Sequence, residues 1–429
     1  MNQHFFQSKF SRLTRSLSRL FLPLSLALTA TTTQAAVDAQ LLAAATATQP
    51  ALIATLEQLV SIESGSGQLD GLARMASVLE GRLQALGMTT RRHKTTAGAG
   101  ADVVIGSMTG TGRRRVLMMG HMDTVYQAGI LNTQPFKREG NKLYGPGIAD
   151  DKGGIAVILH ALKILGDAGW KDFDQITVLF NPDEEVGSVG SGELIAEMSD
   201  QHEIVLSFEP TSTREHNQSE SLLLGAAGTA AATLTVKGRA SHAGVSPELG
   251  RNAIIEISHQ MIQTKDVAAS IPGTQMNWTN VISNKATNQI PELATARADV
   301  RLTIPGAEKP LLTALQAKVA GTRLVPDTES NIQLVIGRPA FRAGAAGKAL
   351  AEKAQQIYRE IDRSLVLVPM IGGATDAAFA GRSGKATVVE SFGLAGFGYH
   401  ARDEYIDIES IVPRLYLTTR LLVDLGKGL

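Results

Sequence analysis

The chain has 429 residues, 44% of them hydrophobic, with 41 basic and 41 acidic side chains. That is the make-up of a soluble globular protein too long for one ordinary domain, and a formal charge of zero argues against a nucleic-acid partner. There is no cysteine, so disulfides are excluded and any metal site must be built from His, Asp and Glu.

Residues 1–36 stand apart. Lys9, Arg12, Arg15 and Arg19 come without an acid. The apolar run Leu20–Leu28 follows, then small residues lead to Ala36. This is the charged, apolar and small-residue order of a secretory signal. The run is too short to span a bilayer and Pro23 interrupts it, so no stable membrane anchor is expected after cleavage. Adjacent arginines are missing from it, which favours the general secretory route and a periplasmic address.

Residues 38–87 read as helical. Leu52, Leu56, Leu59 and Val60 recur at helix spacing, as do Leu72, Met75, Leu79, Leu83 and Leu86. The loop 61–67 separates the two runs, and Gly87 closes the second. Strands are expected at 88–92, 102–107 and 115–119. The last runs through Gly120 into His121-Met122-Asp123. Side chains two apart on an extended segment point the same way, so a carboxylate stands beside an imidazole. A metal-bound histidine hands its second N–H to such a partner; a plain hydrogen-bonded pair is the competing reading.

The Gly- and Pro-containing turn 144–154 carries Asp150 and Asp151 just ahead of an apolar-periodic helix. One Asp would serve as an N-cap and leave the other over. Strand 176–180 runs into Asp183-Glu184-Glu185, and strand 204–208 runs into Glu209-Pro210. Helical stretches lie between these strands. The expectation is therefore an α/β catalytic domain with a mostly parallel sheet and helices on both faces, its acids and histidine gathered outside the strands' carboxyl ends.

Composition shifts at Leu222. A strand precedes Ser241-His242-Ala243-Gly244, then come a helix at 251–264, strands at 276–284 and 293–303, a helix at 308–320 and a strand at 331–336. This is the split βαβ (ferredoxin-like) order. It divides the chain into 37–221, an inserted 222–336, and a resumed first domain at 337–429. The last part is expected to hold a helix at 346–361, the Thr375-Asp376 turn, a strand at 386–390, the Gly-rich loop to His400 and a helix at 409–425.

The stretches Gly120–Val125, Gly145–Gly154, Asp183–Glu185, Ser207–Pro210, Ser241–Gly244, Gly337–Phe341, Thr375–Ala377 and Gly396–His400 resemble the zinc aminopeptidase/carboxypeptidase superfamily over residues 38–429. That superfamily includes aminoacylase and succinyl-diaminopimelate desuccinylase. Within it the chain looks like the carboxypeptidase G group, the bacterial glutamate carboxypeptidases. The resemblance implies a metallocarboxypeptidase with two Zn2+ per subunit. His121 and Glu209 would hold one ion, Glu185 and His400 the other, with Asp150 bridging and the Asp150–Asp151 peptide cis. Glu184 would be the general base and Asp123 the partner of His121. Arg301, Asn288 and Arg338 would hold substrate, and His242 would reach the active site of the other subunit of a homodimer.

Adjacent glutamates suit that chemistry, because a base must reach the activated water without being consumed as a ligand. The implied substrates are folate-like, N-acyl or peptidyl amino acids. An aminoacylase- or dipeptidase-type amidohydrolase is the alternative, and a catalytically dead binding protein on the same fold is a third reading. The chain departs from the group pattern at Ser221 and Leu223, where the group has Lys and Ser, and at Ala374. The lost cation weakens the case for strict glutamate preference.

Overall fold

The computed structural model describes residues 36–95, 100–284 and 286–428. The expected secretory segment lies outside them, apart from Ala36. The first elements are helices α1 (Ala39–Val60) and α2 (Leu69–Ala85), then strands β1 (Thr89–Lys94), β2 (Asp102–Thr109) and β3 (Arg115–His121). Gly87, with φ of +80°, takes the left-handed turn that releases the chain from α2. Next come α3 (Lys152–Asp167), β4 (Gln175–Asn181), α4 (Gly192–Ser199) and β5 (Ile204–Ser207).

The main sheet has the order β1-β2-β4-β3-β5, with β10 (Thr387–Val389, from the end of the chain) at its far edge. It is mixed rather than mostly parallel. β4, β3, β5 and β10 run parallel, whereas β1–β2 and β2–β4 pair antiparallel. The β1–β2 pairing follows from connection length: only seven residues separate the two strands, too few for the crossover that parallel pairing requires.

Side-chain alternation sorts β3 between two cores. Met118 joins Val104, Val178 and Leu206 against residues of α1, α2 and α3 and the carboxyl-terminal helix. Leu117 and Met119 join Ile105, Leu179 and Val205 against Ile195 of α4 and Ala377–Ala380. Helices thus cover both faces. α1 has the length and hydropathy of a membrane-crossing helix, but Leu52, Leu56 and Leu59 are buried in the first of these cores.

The intervening chain builds a sheet of its own. β6 (Gly228–Lys237), α5 (Ala253–Thr264), β7 (Thr274–Ser283), β8 (Leu293–Leu302), α6 (Glu308–Gly321) and β9 (Glu329–Ile336) follow in turn. The strands lie in the order β7-β8-β6-β9, all antiparallel. Ala294, Ala296, Ala298 and Val300 alternate inward on β8 and pack with Ile257, Leu311 and Leu315 of the two helices. Small side chains on this face let the helices approach closely. The chain leaves and re-enters the first body through paired strands: Gly225–Ala226 lies against Phe341–Arg342, and Glu220–Leu223 against Leu365–Val368. α7 (Ala345–Glu360), α8 (Ala377–Ala380), β10 and α9 (Ile411–Gly426) complete it.

Candidate metal centre

The parallel strands β4, β3 and β5 end at one edge, with His121 level with Asn181 and Met119 with Ser207. The residues that follow these ends therefore converge. Gly120 makes the close approach possible: a Cβ there would fall 2.4 Å from Asp151 Oδ2. Asp151 is fully buried and accepts the His121 N–H at 3.2 Å. It is engaged in holding the strand end. Asp150, its neighbour across a cis peptide bond, lines the cavity.

Asp150 divides its two oxygens. Oδ1 lies 2.9 Å from His121 Nε2, and Oδ2 lies 3.3 Å from His400 Nε2. Glu209 Oε1 is 3.7 Å from His121 Nε2, and Glu185 Oε2 is 3.2 Å from His400 Nε2. Two trios result, His121–Asp150–Glu209 and Asp150–Glu185–His400, each with its donor atoms within 4.8 Å of one another. Imidazole and carboxylate donors at this spacing fit a divalent ion such as zinc.

The electrostatics point the same way. Burial opposes charge on the His121 ring, yet Asp123 and Asp150 outweigh it and hold the ring well above the ordinary histidine value. Asp150 and Glu185 push His400 up to about 10. Burial, reinforced by the Asp150 charge, raises Glu209 well above the carboxylate range, and burial raises Glu185. Three clustered carboxylates with two proton-retaining imidazoles form a set in which a cation would displace the ring protons.

Asp123 does more than the sequence suggests. Its Oδ1 is 3.3 Å from His121 Nδ1 and accepts the Glu184 N–H at 3.0 Å; its Oδ2 accepts from Glu185 N at 3.1 Å and Ser66 Oγ at 2.6 Å. One buried carboxylate thus orients an imidazole and the backbone of both glutamates. Glu185 turns to His400. Glu184 turns the other way, its Oε1 2.7 Å from Arg338 Nη1, and burial lifts its carboxyl well above the usual range. Asp183, the first acid of the triplet, is absent from the cavity wall: it accepts Gly190 N–H at 2.7 Å and Ser191 Oγ–H at 2.5 Å and shapes the loop.

A cavity of about 570 Å³ opens beside these groups, within the usual size of a small-molecule site. Arg301 and Arg338 both line it. Arg338 is buried, bonded to Ala374 O at 2.9 Å and to the Glu184 carbonyl and carboxylate, so in this geometry its guanidinium faces the base. Arg301 pairs with Asp299 at 2.9 Å. His242 and Asn288 are not brought there. They are exposed on one small ribbon, where Ser241–His242 pairs with Gln289–Ile290 and Ala243 N donates to Asn288 O at 2.9 Å.

Sequence reasoning missed Glu404, fully buried beneath the Asp150 turn. It also missed Asp376 as a buried partner of Asn181 and Ser188. An acid four residues after His400 in a loop gives no periodic or motif signal of such a role.

A profile of peptidase family M20/M25/M40 matches residues 117–424. The chain belongs to this family of metal-dependent hydrolases. It is a metallohydrolase homologous to carboxypeptidase G2 of Pseudomonas sp. (strain RS-16), with 45% identity over 392 residues that cover 91% of this chain and 93% of that one. Succinyl-diaminopimelate desuccinylase of Maricaulis maris is 28% identical over 80% of this chain and 89% of its own. Among solved structures, the M20 family metallo-carboxypeptidase Sso-CP2 of Sulfolobus solfataricus matches with a TM-score of 0.68 at 18% identity, over 86% of this chain and 98% of its own. An aminopeptidase from Bacillus cereus matches with a TM-score of 0.71 at 20% identity, over 87% and 97%. These structures share the fold.

Proposed function

We propose that the chain hydrolyses the amide bond that joins an acyl or peptidyl group to a C-terminal amino acid, with two zinc ions per subunit. The observation that carries this reading is the pair of donor trios sharing Asp150, set beside a buried glutamate that is not one of the donors. His121 and Glu209 would hold one ion, Glu185 and His400 the other, and Asp150 both. Bound there, such ions supply an acidified water and a polarised carbonyl.

The chain's own residues do the rest. Glu184 accepts the water's proton and returns it to the leaving amine. Asp123 fixes the His121 tautomer and the direction of Glu184. Arg338 and Arg301 lie on the cavity wall where a free α-carboxylate would be gripped.

The exposed ribbon supports a homodimer in which His242 and Asn288 serve the partner's site, since neither lines the cavity of its own chain among the described residues. In that reading 222–336 is an inserted split βαβ domain for dimerisation and closure. A secretory leader places the enzyme in the periplasm.

Glutamate is the leaving residue implied by the carboxypeptidase G2 likeness. One observation favours the alternative of a less acidic one: Leu223 and Ile371 line the cavity, and both arginines there already face carboxylates. The test is a set of substrates with one common acyl group and leaving residues Glu, Gln, Met and Leu. Zinc-dependent release of any of them supports the reading. A zinc-loaded protein that releases none, while binding the compounds, overturns it.

A further inference from the structure

Two of the five candidate ligands, Asp150 and His400, stand on irregular loops rather than at strand ends. His400 even adopts a φ of +62°, uncommon for a residue with a side chain. Such a backbone keeps its place only where its surroundings over-determine it. The Asp150 turn is held from below by one side chain 254 residues away. Glu404 Oε2 accepts the Gly147 N–H at 2.8 Å, and its Oε1 accepts the Ala149 and Asp150 N–H groups at 2.9 and 3.0 Å. The Tyr126 hydroxyl lies 2.7 Å from the same Oε2 and also 2.7 Å from the carbonyl of Ala401, the residue after His400.

We propose that Glu404 and Tyr126 are positioning residues for the metal centre: Glu404 sets the bridging Asp150, and Tyr126 couples that setting to the His400 loop. The inference rests on the reading that these side chains hold ions. Neither residue touches the donor atoms, so each acts through the backbone of a ligand. Outer partners of this kind govern ligand orientation, and their loss commonly costs 10- to 100-fold in metal affinity. Glu404 touches the turn of the shared ligand, so both ions depend on it. Tyr126 touches the loop of His400 directly and the Asp150 turn only through Glu404, so the ion that His400 shares is the one most dependent on it.

The experiment is zinc competition against a chromophoric chelator, on wild type, Glu404→Gln and Tyr126→Phe. Glutamine keeps the shape but sets its NH2 group either against the Gly147 N–H or against the Ala149 and Asp150 N–H groups, depending on which way the amide turns. The expected result is two tight sites in wild type, both weakened about 10- to 100-fold in Glu404→Gln, and one weakened about 10-fold in Tyr126→Phe. Circular dichroism and the melting temperature of the metal-free proteins select the folded fraction; a merely structural residue would lower melting and leave the affinity of that fraction unchanged. Tyr126→Phe removes one hydroxyl from a half-buried ring and keeps the test open if Glu404→Gln does not fold. Wild-type affinity at both sites in the folded variants overturns the inference alone. Failure of wild type to bind zinc overturns the reading of the site as well.

Discussion

Replacing Glu184 with glutamine separates the base from the ligands. The Glu184 and Arg338 side chains are each 8% exposed and meet at 2.7 Å. Removing one charge of a buried pair costs about 3–5 kcal/mol, since the other is left uncompensated. Here Arg338 keeps the Ala374 carbonyl and an Asp376 oxygen at 3.8 Å, so the expected loss is at the lower end, about 3 kcal/mol. The effect on chemistry is larger in consequence. A positioned general base contributes about 10²- to 10⁴-fold, so kcat should fall by that factor, roughly 3–5 kcal/mol of barrier. Glu184 is outside both donor trios, so zinc content should stay at the wild-type value. The assay is kcat on an N-acyl amino acid together with metal content of the same sample. A zinc-replete mutant with kcat within about threefold of wild type, far below the loss expected of a base, would refute the assignment.

Asp123→Asn should weaken zinc binding about 10- to 100-fold and also lower kcat in the zinc-saturated protein, because the same carboxylate directs Glu184; a change in affinity with kcat intact would limit Asp123 to His121. Zinc held by His121 and His400, the latter raised to about 10, would have to displace their protons, so affinity should rise with pH over about 6 to 10, and calorimetry in buffers of different ionisation enthalpy should reveal proton release. The sign is opposite for metal-free stability: a raised histidine pKa favours the folded state below the unfolded value of about 6.5 and its contribution is lost as pH rises toward 10. Mixed dimers test His242. One chain with His242→Ala paired with one carrying Glu184→Gln should keep about half of wild-type activity if His242 acts across the interface, since both lesions then fall on one site. Almost none, with half activity when both substitutions share one chain, would place His242 within its own subunit.

The gathering of acids and a histidine at one edge was legible because apolar runs announce buried strands, and parallel strands bring whatever follows them to one edge. His121, Glu184, Glu185 and Glu209 could be placed together on that ground alone. The sheet's direction was less legible. Val103–Ile105 is as apolar as a parallel strand, and an alternating pattern does not encode whether its neighbour runs with or against it; β2 proved antiparallel to β4. The resemblance implied Arg338 as a substrate residue but not as the partner of Glu184, since the two are 154 positions apart and meet only through the return of the chain after β9. Glu404 and the buried Glu220–Arg414 pair, at 2.7 Å, were silent for the same reason. A lone acid in a loop declares nothing until its partners are known. Asp183 shows the converse: it stands next to Glu184 and Glu185 in the chain, yet its carboxylate closes the loop on Gly190 and Ser191.

Ions held by His121, Asp150, Glu185, Glu209 and His400 would make this chain an amide hydrolase. The direct measurement strips metal with a chelator and titrates zinc back while hydrolysis of an N-acyl amino acid is followed. Turnover should be absent without metal and recover fully as zinc reaches about two equivalents per chain, with His400→Ala failing to recover. Undiminished turnover by the stripped protein, or full recovery in His400→Ala, would contradict that assignment.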